Sequence, residues 1–193
     1  MAQSAIDYPV RFSVEYPDRP QDRFTVLFRL VFLIPIVIVI SALGAGAQYT
    51  APMLMILFRR KYPRWWFDWA LELARFTTRV EAYLLLLTDE YPSTDEEQSV
   101  HLEIPYPNVE TDLNRWLPLV KWLLAVPHWA VLAVLAVVAI FVLVLAWFAI
   151  LFTGRYPRGL FDFTVGVLRW DSRVWAYSIL LSTDRYPPFR LGA

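Results

Sequence analysis

Leu151-Phe152-Thr153-Gly154-Arg155-Tyr156-Pro157-Arg158-Gly159-Leu160-Phe161-Asp162 occurs twice in this chain. Its earlier copy is Leu57-Phe58-Arg59-Arg60-Lys61-Tyr62-Pro63-Arg64-Trp65-Trp66-Phe67-Asp68. The match continues without a gap. Arg75 falls on Arg169, Phe76 on Trp170, Arg79-Val80 on Arg173-Val174 and Ala82-Tyr83 on Ala176-Tyr177. It closes on Thr88-Asp89-Glu90-Tyr91-Pro92 against Thr183-Asp184-Arg185-Tyr186-Pro187, one residue out of step. The chain is thus a tandem duplication with a period of about 94 residues, too long for a solenoid repeat. Internal duplication is frequent in membrane transport folds without being specific to them.

Composition agrees with a membrane setting. Hydrophobic residues make up 58% of the 193, above the roughly 45–50% of soluble domains. Nine Trp and ten Tyr suit a protein with much surface at a bilayer interface. Net charge is zero, so no global field attracts nucleic acid. The absence of cysteine excludes disulfides and thiolate metal sites. Met1 to Asp22 is polar, and no cleavable signal peptide is expected there.

Two stretches alternate with a period of two. Val10, Phe12, Val14 and Tyr16 alternate with Arg11, Ser13 and Glu15, and Val100, Leu102, Ile104 and Tyr106 alternate with His101 and Glu103. This predicts short strands over 9–16 and 100–106. Each stops at a proline, Pro17 or Pro107, which cannot continue a ladder. The two strands are candidates to pair across a pseudo-symmetry axis.

Each strand precedes an apolar run. Arg29 is the only formal charge from Phe24 to Phe58, and Lys121 the only one from Trp116 to Thr153. One crossing takes about 20 residues, so each run is long for one helix and just long enough for two. Basic residues flank both ends of both runs: Arg19, Arg23 and Arg59-Arg60-Lys61-Arg64 for the first, Arg115, Arg155 and Arg158 for the second. Positive residues mark the cytoplasmic side, which predicts a hairpin of two crossings in each half and both termini in the cytoplasm. Gly44, Gly46, Gln48 and Pro52 supply a turn signal near Ser41–Thr50, whereas nothing interrupts Ala130–Leu145. The rival reading has an interfacial helix ending near Pro35 and Pro127 and one long crossing per half, with inverted repeats. Pro35 and Pro127 lie six residues beyond Arg29 and Lys121 and are candidate helix breaks. His128, next to Pro127, is a functional candidate as an intramembrane histidine, or a packing residue.

Residues 64–88 and 158–182 read as amphipathic interfacial helices. Asp68, Glu72, Arg75 and Arg79 lie on one helical face, and Asp162, Gly166, Arg169 and Arg173 hold the same positions in the second copy. These stripes are candidate sites for anionic lipid headgroups or for an ion-pair network between the halves. Ser93 to Ser99 is an acidic linker, giving a domain division of 1–92, 93–99 and 100–193.

No metal-ligand spacing, phosphate loop, HExxH or GxSxG occurs. The expectation is a non-enzyme without cofactor.

The phrases Arg115-Trp116-Leu117-Pro118-Leu119-Val120-Lys121-Trp122, Leu151 to Phe163 and Thr183-Asp184-Arg185-Tyr186-Pro187-Pro188-Phe189 resemble the bacterial membrane-protein family known as domain of unknown function 4389. The resemblance spans about 113–190, with the first half a diverged copy. It implies a small bacterial inner-membrane protein and carries no activity, cofactor or catalytic residue with it.

The sequence therefore predicts an all-α integral membrane protein of two tandem repeats, each a short strand, a membrane hairpin (24–58 and 116–153) and an amphipathic interfacial helix. The expected role is a scaffold or accessory subunit of a membrane complex, with lipids and other membrane subunits or itself as partners. A small duplicated transporter or channel is the alternative. Against it, the only polar groups available to a pathway, Ser41, Gln48, Tyr49 and Thr50, all lie in one half.

Overall fold

The computed structural model describes residues 8–17, 21–23, 25–29, 45–94, 96 and 98–192. Strand β1 (Arg11–Val14) is followed by helical residues 25–29, then helix α1 (Ala45–Leu54), which widens into a π-helical turn (Met55–Arg59). Helix α2 (Arg64–Leu84), strand β2 (Val100–Glu103), helix α3 (Pro118–Thr153) and helix α4 (Arg158–Ser178) complete the order.

Prolines and left-handed residues set the helix ends in both copies. Pro63 and Pro157 precede α2 and α4, where a missing N–H costs nothing and φ is already suitable. Gly154 ends α3 at φ 74° and donates its N–H to Ile150 O at 2.7 Å. At the matching place Arg60 adopts φ 48°. Leu86 and Leu181 are also left-handed, at φ 63° and 58°. Such a non-glycine residue costs roughly 1–2 kcal/mol. Both side chains are buried, so core packing opposes that strain. The one-residue slip between the copies falls here: Leu87 N–H reaches Ala82 O, whereas Ser182 N–H reaches back to Ala176 O.

β1 and β2 form an antiparallel pair with Phe12 opposite Leu102 and Val14 opposite Val100. Phe12 and Leu102 are buried, whereas Arg11 and Glu103 point out. The two strands sit on the amphipathic helices, β1 against α4 and β2 against α2. Each strand therefore packs on the helix of the other half. Tyr16 of the first half donates to Tyr156 O at 2.6 Å, and its counterpart Tyr106 donates to Tyr62 O. Their rings meet Phe161 and Phe67 edge-on, at 4.9 and 5.2 Å.

The expected pair of membrane hairpins is not the architecture. The second run is one continuous helix, α3, of 36 residues, about 54 Å long at 1.5 Å per residue. Pro127 lies inside it without ending it. In the first run, Pro35 and residues 41–44 of the expected turn lie outside the described residues. Residues 45–50 are helical rather than a turn, with Pro52 inside the same helix α1, and the two ends of the run are informative. Gln21 N–H donates to Gly154 O at 3.0 Å, at the end of α3. Leu57 O, at the other end of the run, accepts from Arg115 Nε, just before the start of α3. A hairpin would bring its own two ends together; these lie at opposite ends of a single long helix. The flanking basic residues misled because they serve the fold: the guanidinium groups of Arg64 and Arg158 sit over the rings of Tyr106 and Tyr16, at 5.1 and 4.8 Å, and Arg115 Nε donates to Leu57 O. The basis for placing both termini in the cytoplasm goes with the hairpins. The all-α description also fails, since the sheet joins the halves.

The amphipathic helices are not interfacial in the expected sense. Phe161, Val165 and Leu168, the apolar face of α4, are buried in the core. Instead α3 exposes apolar surface: Phe152 is 79% exposed, Phe141 66% and Val134 64%. Among the described residues it is the one helix long and apolar enough to cross a membrane, and 22% of its most apolar stretch is buried.

Candidate functional site

The two charges inside the apolar runs are held by the same device in each half. Arg29 is 2% exposed. It donates through Nη1 to Tyr83 O at 2.5 Å and to Thr88 O at 3.0 Å. Its Nη2 meets Asp89 Oδ1 at 2.5 Å, and the guanidinium lies 4.2 Å from the centre of the Tyr83 ring. Lys121, fully buried, donates to Thr183 O at 2.7 Å. It also forms an ion pair with Asp184 Oδ1 at 2.8 Å and faces the Tyr177 ring at 5.1 Å. In both halves the second carboxylate oxygen accepts a backbone N–H from just before the apolar run, Asp22 or Asn114. The repeated Thr-Asp thus ties the end of each amphipathic helix to the start of its own apolar run.

The charged stripes divide by position. Arg75 Nε donates to Leu102 O and Arg169 Nε to Phe12 O, both at 3.0 Å. Each stripe therefore reaches the strand of the opposite half. Arg79 Nη1 donates to Ser93 O at 2.6 Å, and Arg173 donates to Arg190 O at 3.3 Å and Gly192 O at 2.7 Å, so this pair holds the segment following each helix. Glu72 pairs with Arg75 at 2.6 Å. Asp68 faces Arg64 at 3.6 Å with both side chains more than half exposed, a contact that contributes little. Asp162 is exposed.

The loss of Glu72 in the second copy has a steric cause. A Cβ on Gly166 would lie 2.9 Å from Leu191 Cβ. The C-terminal segment crosses α4 at that point, and Arg169 Nη1 donates to Leu191 O at 3.2 Å in place of a carboxylate.

His128 is fully buried. Its Nδ1 accepts from Trp170 Nε1 at 3.1 Å, which puts its proton on Nε2, and the ring stacks on Phe189 at 3.9 Å. Nε2 is buried without a partner. The aromatic surroundings make it a packing centre between α3, α4 and the C-terminal segment. Pro127, beside it, continues the helix.

The sequence reading missed two carboxylic acids. Glu81 on α2 and Asp171 on α4 line a cavity of about 190 Å³ together with Gln48, Thr77, Thr78 and Ser172. Burial, reinforced by the nearby Asp171, raises the Glu81 carboxyl to about 8. Asp171 is an exposed residue of the cavity rim by accessible surface, and the protein atoms crowded around its carboxyl, which raise it to about 6, act on a group that water still reaches. Neither residue recurs in the other copy. Thr77 stands opposite Asp171 in the duplication, and Glu81 opposite Trp175, so a search for repeated charges passes over them. Among the described residues no group of three His, Cys, Asp or Glu is placed to hold a metal.

No curated relative matches the chain. No solved structure matches it either. One family model does, and it matches twice, over residues 23–94 and 116–190, the two copies of the duplication. The chain belongs to the family described as domain of unknown function 4389, of which it carries two tandem copies.

Proposed function

We propose that the protein is a non-enzymatic, membrane-anchored scaffold or accessory subunit in the inner membrane of a bacterium. The observation that carries this reading is the outward face of α3, where Leu123, Val134, Ile140, Phe141, Leu145 and Phe152 are each more than half exposed. A surface of that extent is unfavourable in water, at about 25 cal/mol per Å², and lipid or another apolar helix relieves it. The partners are membrane lipids and another membrane subunit or a second copy. The ion pairs at the foot of each run fit this role, since they hold the apolar helices to the rest of the chain and leave no charge facing the lipid.

The test is membrane fractionation of cells expressing the full chain, followed by alkaline carbonate extraction. The protein stays in the pellet and leaves it only with detergent; release by carbonate alone overturns the anchor. Purification in mild detergent then reads the scaffold role, as co-elution with a stoichiometric membrane protein or as a defined homo-oligomer. A lone monomer that carries saturable solute flux in vesicles overturns it in favour of the transporter alternative.

A further inference from the structure

The cavity between α2 and α4 has a donor–acceptor imbalance. The hydroxyls of Thr77, Thr78 and Ser172 each donate to their own helix, to Leu73 O at 2.9 Å, Arg75 O at 2.9 Å and Leu168 O at 2.8 Å. Their protons are used, and what they present to the cavity is lone pairs. Glu81 and Asp171 add two carboxyl groups with no basic residue on the cavity wall. Gln48 is 9% exposed and lines the same space, and among the described residues no side-chain hydrogen bond holds its amide. A nine-tenths-buried amide without a partner is costly unless something in the cavity satisfies it.

The rest of the wall is apolar, with Leu73 and Leu102 and the indole of Trp175. A small occupant is called for that brings positive charge, several N–H donors and a short apolar body. A metal ion is not indicated, since among the described residues no group of three His, Cys, Asp or Glu is placed to hold one.

We propose that this cavity is a binding site for a primary aliphatic amine, held as its ammonium ion between Glu81 and Asp171. The three N–H groups of the ammonium meet the carboxylates and the Gln48 carbonyl oxygen. The alkyl chain lies against Leu73, Leu102 and Trp175, and the indole face adds attraction for the cation. The titratable groups facing the site are Glu81 from α2 and Asp171 from α4; α1 contributes Gln48 and β2 contributes Leu102, neither of which titrates. Binding therefore draws a proton off the carboxyl pair, and affinity rises between pH 6 and pH 8.

Calorimetric titration of the full detergent-solubilised chain with n-butylamine at pH 8 tests this. A single saturable site is expected, weakened at least tenfold in Glu81→Gln and in Asp171→Asn, with helical content checked by circular dichroism. Ala74→Leu fills the cavity while keeping both carboxyls, and it abolishes the heat even if an acid variant fails to fold. Tetramethylammonium, which has no N–H, binds at least tenfold more weakly than butylamine. The proposal is overturned by the absence of saturable heat, by full binding in both acid variants, by full binding in Ala74→Leu, or by equal binding of tetramethylammonium.

Discussion

Phe12 pairs with Leu102 across the two-stranded sheet, and each is the other's counterpart in the duplication. The pseudo-two-fold axis therefore passes between them. Everything near it is reciprocal: Arg169 of the second half holds the strand of the first at Phe12 O, and Arg75 of the first holds the strand of the second at Leu102 O. Neither half closes its own strand against its own helix, so the halves interlock.

This clasp makes a directional prediction. A hydrogen bond from a charged donor contributes about 1.5–3 kcal/mol when buried, less here because Arg75 is one-third exposed. Arg75→Met is expected to cost about 1 kcal/mol and Arg169→Met about 2 kcal/mol, because Arg169 also holds Leu191 O. Hydrogen exchange gives the sharper reading. Arg75→Met speeds exchange first in β2, and Arg169→Met in β1. Faster exchange confined to the strand of the mutated half disproves the crossing.

The buried ion pairs predict an asymmetry. Lys121 is fully buried, whereas the Asp184 side chain is 21% exposed. Removing the acid strands an ammonium with no access to water; removing the base leaves a carboxylate that still reaches solvent and still accepts from Asn114 N–H. Breaking a buried pair costs about 3–5 kcal/mol. Asp184→Asn should lie near the lower end, about 3 kcal/mol, and Lys121→Met about 1–2 kcal/mol. Urea unfolding in a fixed detergent measures both. Equal losses, or a larger loss for Lys121→Met, sink the account.

These relationships show how much of the molecule a single sequence discloses. The duplication was plain because whole phrases recur, and period-two alternation located both strands. Arg29 and Lys121 stood out as lone charges in apolar runs, and Asp89 and Asp184 sat in a repeated Thr-Asp, yet nothing local links them. They meet because each amphipathic helix ends at the start of its own apolar run. The hairpin expectation failed for a chemical reason: arginine is read as a marker of membrane side, but Arg64 and Arg158 are spent on tyrosine rings from the opposite half. The second run gave its own warning, with no turn residue between Ala130 and Leu145. Glu81 and Asp171 were illegible because they break the repeat rather than follow it.

Gly166 predicts a steric outcome. Alanine in a helix interior is normally favoured over glycine by roughly 0.5–1 kcal/mol. Here the new methyl group meets Leu191 Cβ at 2.9 Å and Leu191 O at 3.2 Å, and overpacking costs typically 1–3 kcal/mol. Gly166→Ala is expected to release the C-terminal segment, seen as faster carboxypeptidase trimming of residues 186–192, with a net loss of about 1 kcal/mol. Leu191→Gly in the same chain restores the helix stability without restoring the segment. A Gly166→Ala protein that is more stable and equally protected shows that the segment does not cross α4 there.

Glu81 governs the dependence of stability on pH. Its carboxyl is raised from the usual 4.5 to about 8, so the folded chain keeps a proton that the unfolded chain has lost. The native state binds more protons across this interval, and stability therefore falls as pH rises from about 4.5 toward 8 and levels off above it. The slope from one such group is at most roughly 1.4 kcal/mol per pH unit, and less for a side chain that, like Glu81, is only partly buried. Asp171, raised to about 6, adds to the decline in the lower part of the range only. Glu81→Gln removes the upper part, so its stability curve between pH 6 and pH 8 is flatter than that of the parent, and at pH 8 it is the more stable of the two. Thermal unfolding across that range measures the difference. Parallel curves mean that the Glu81 carboxyl is ionised in the folded protein and that the burial argument fails.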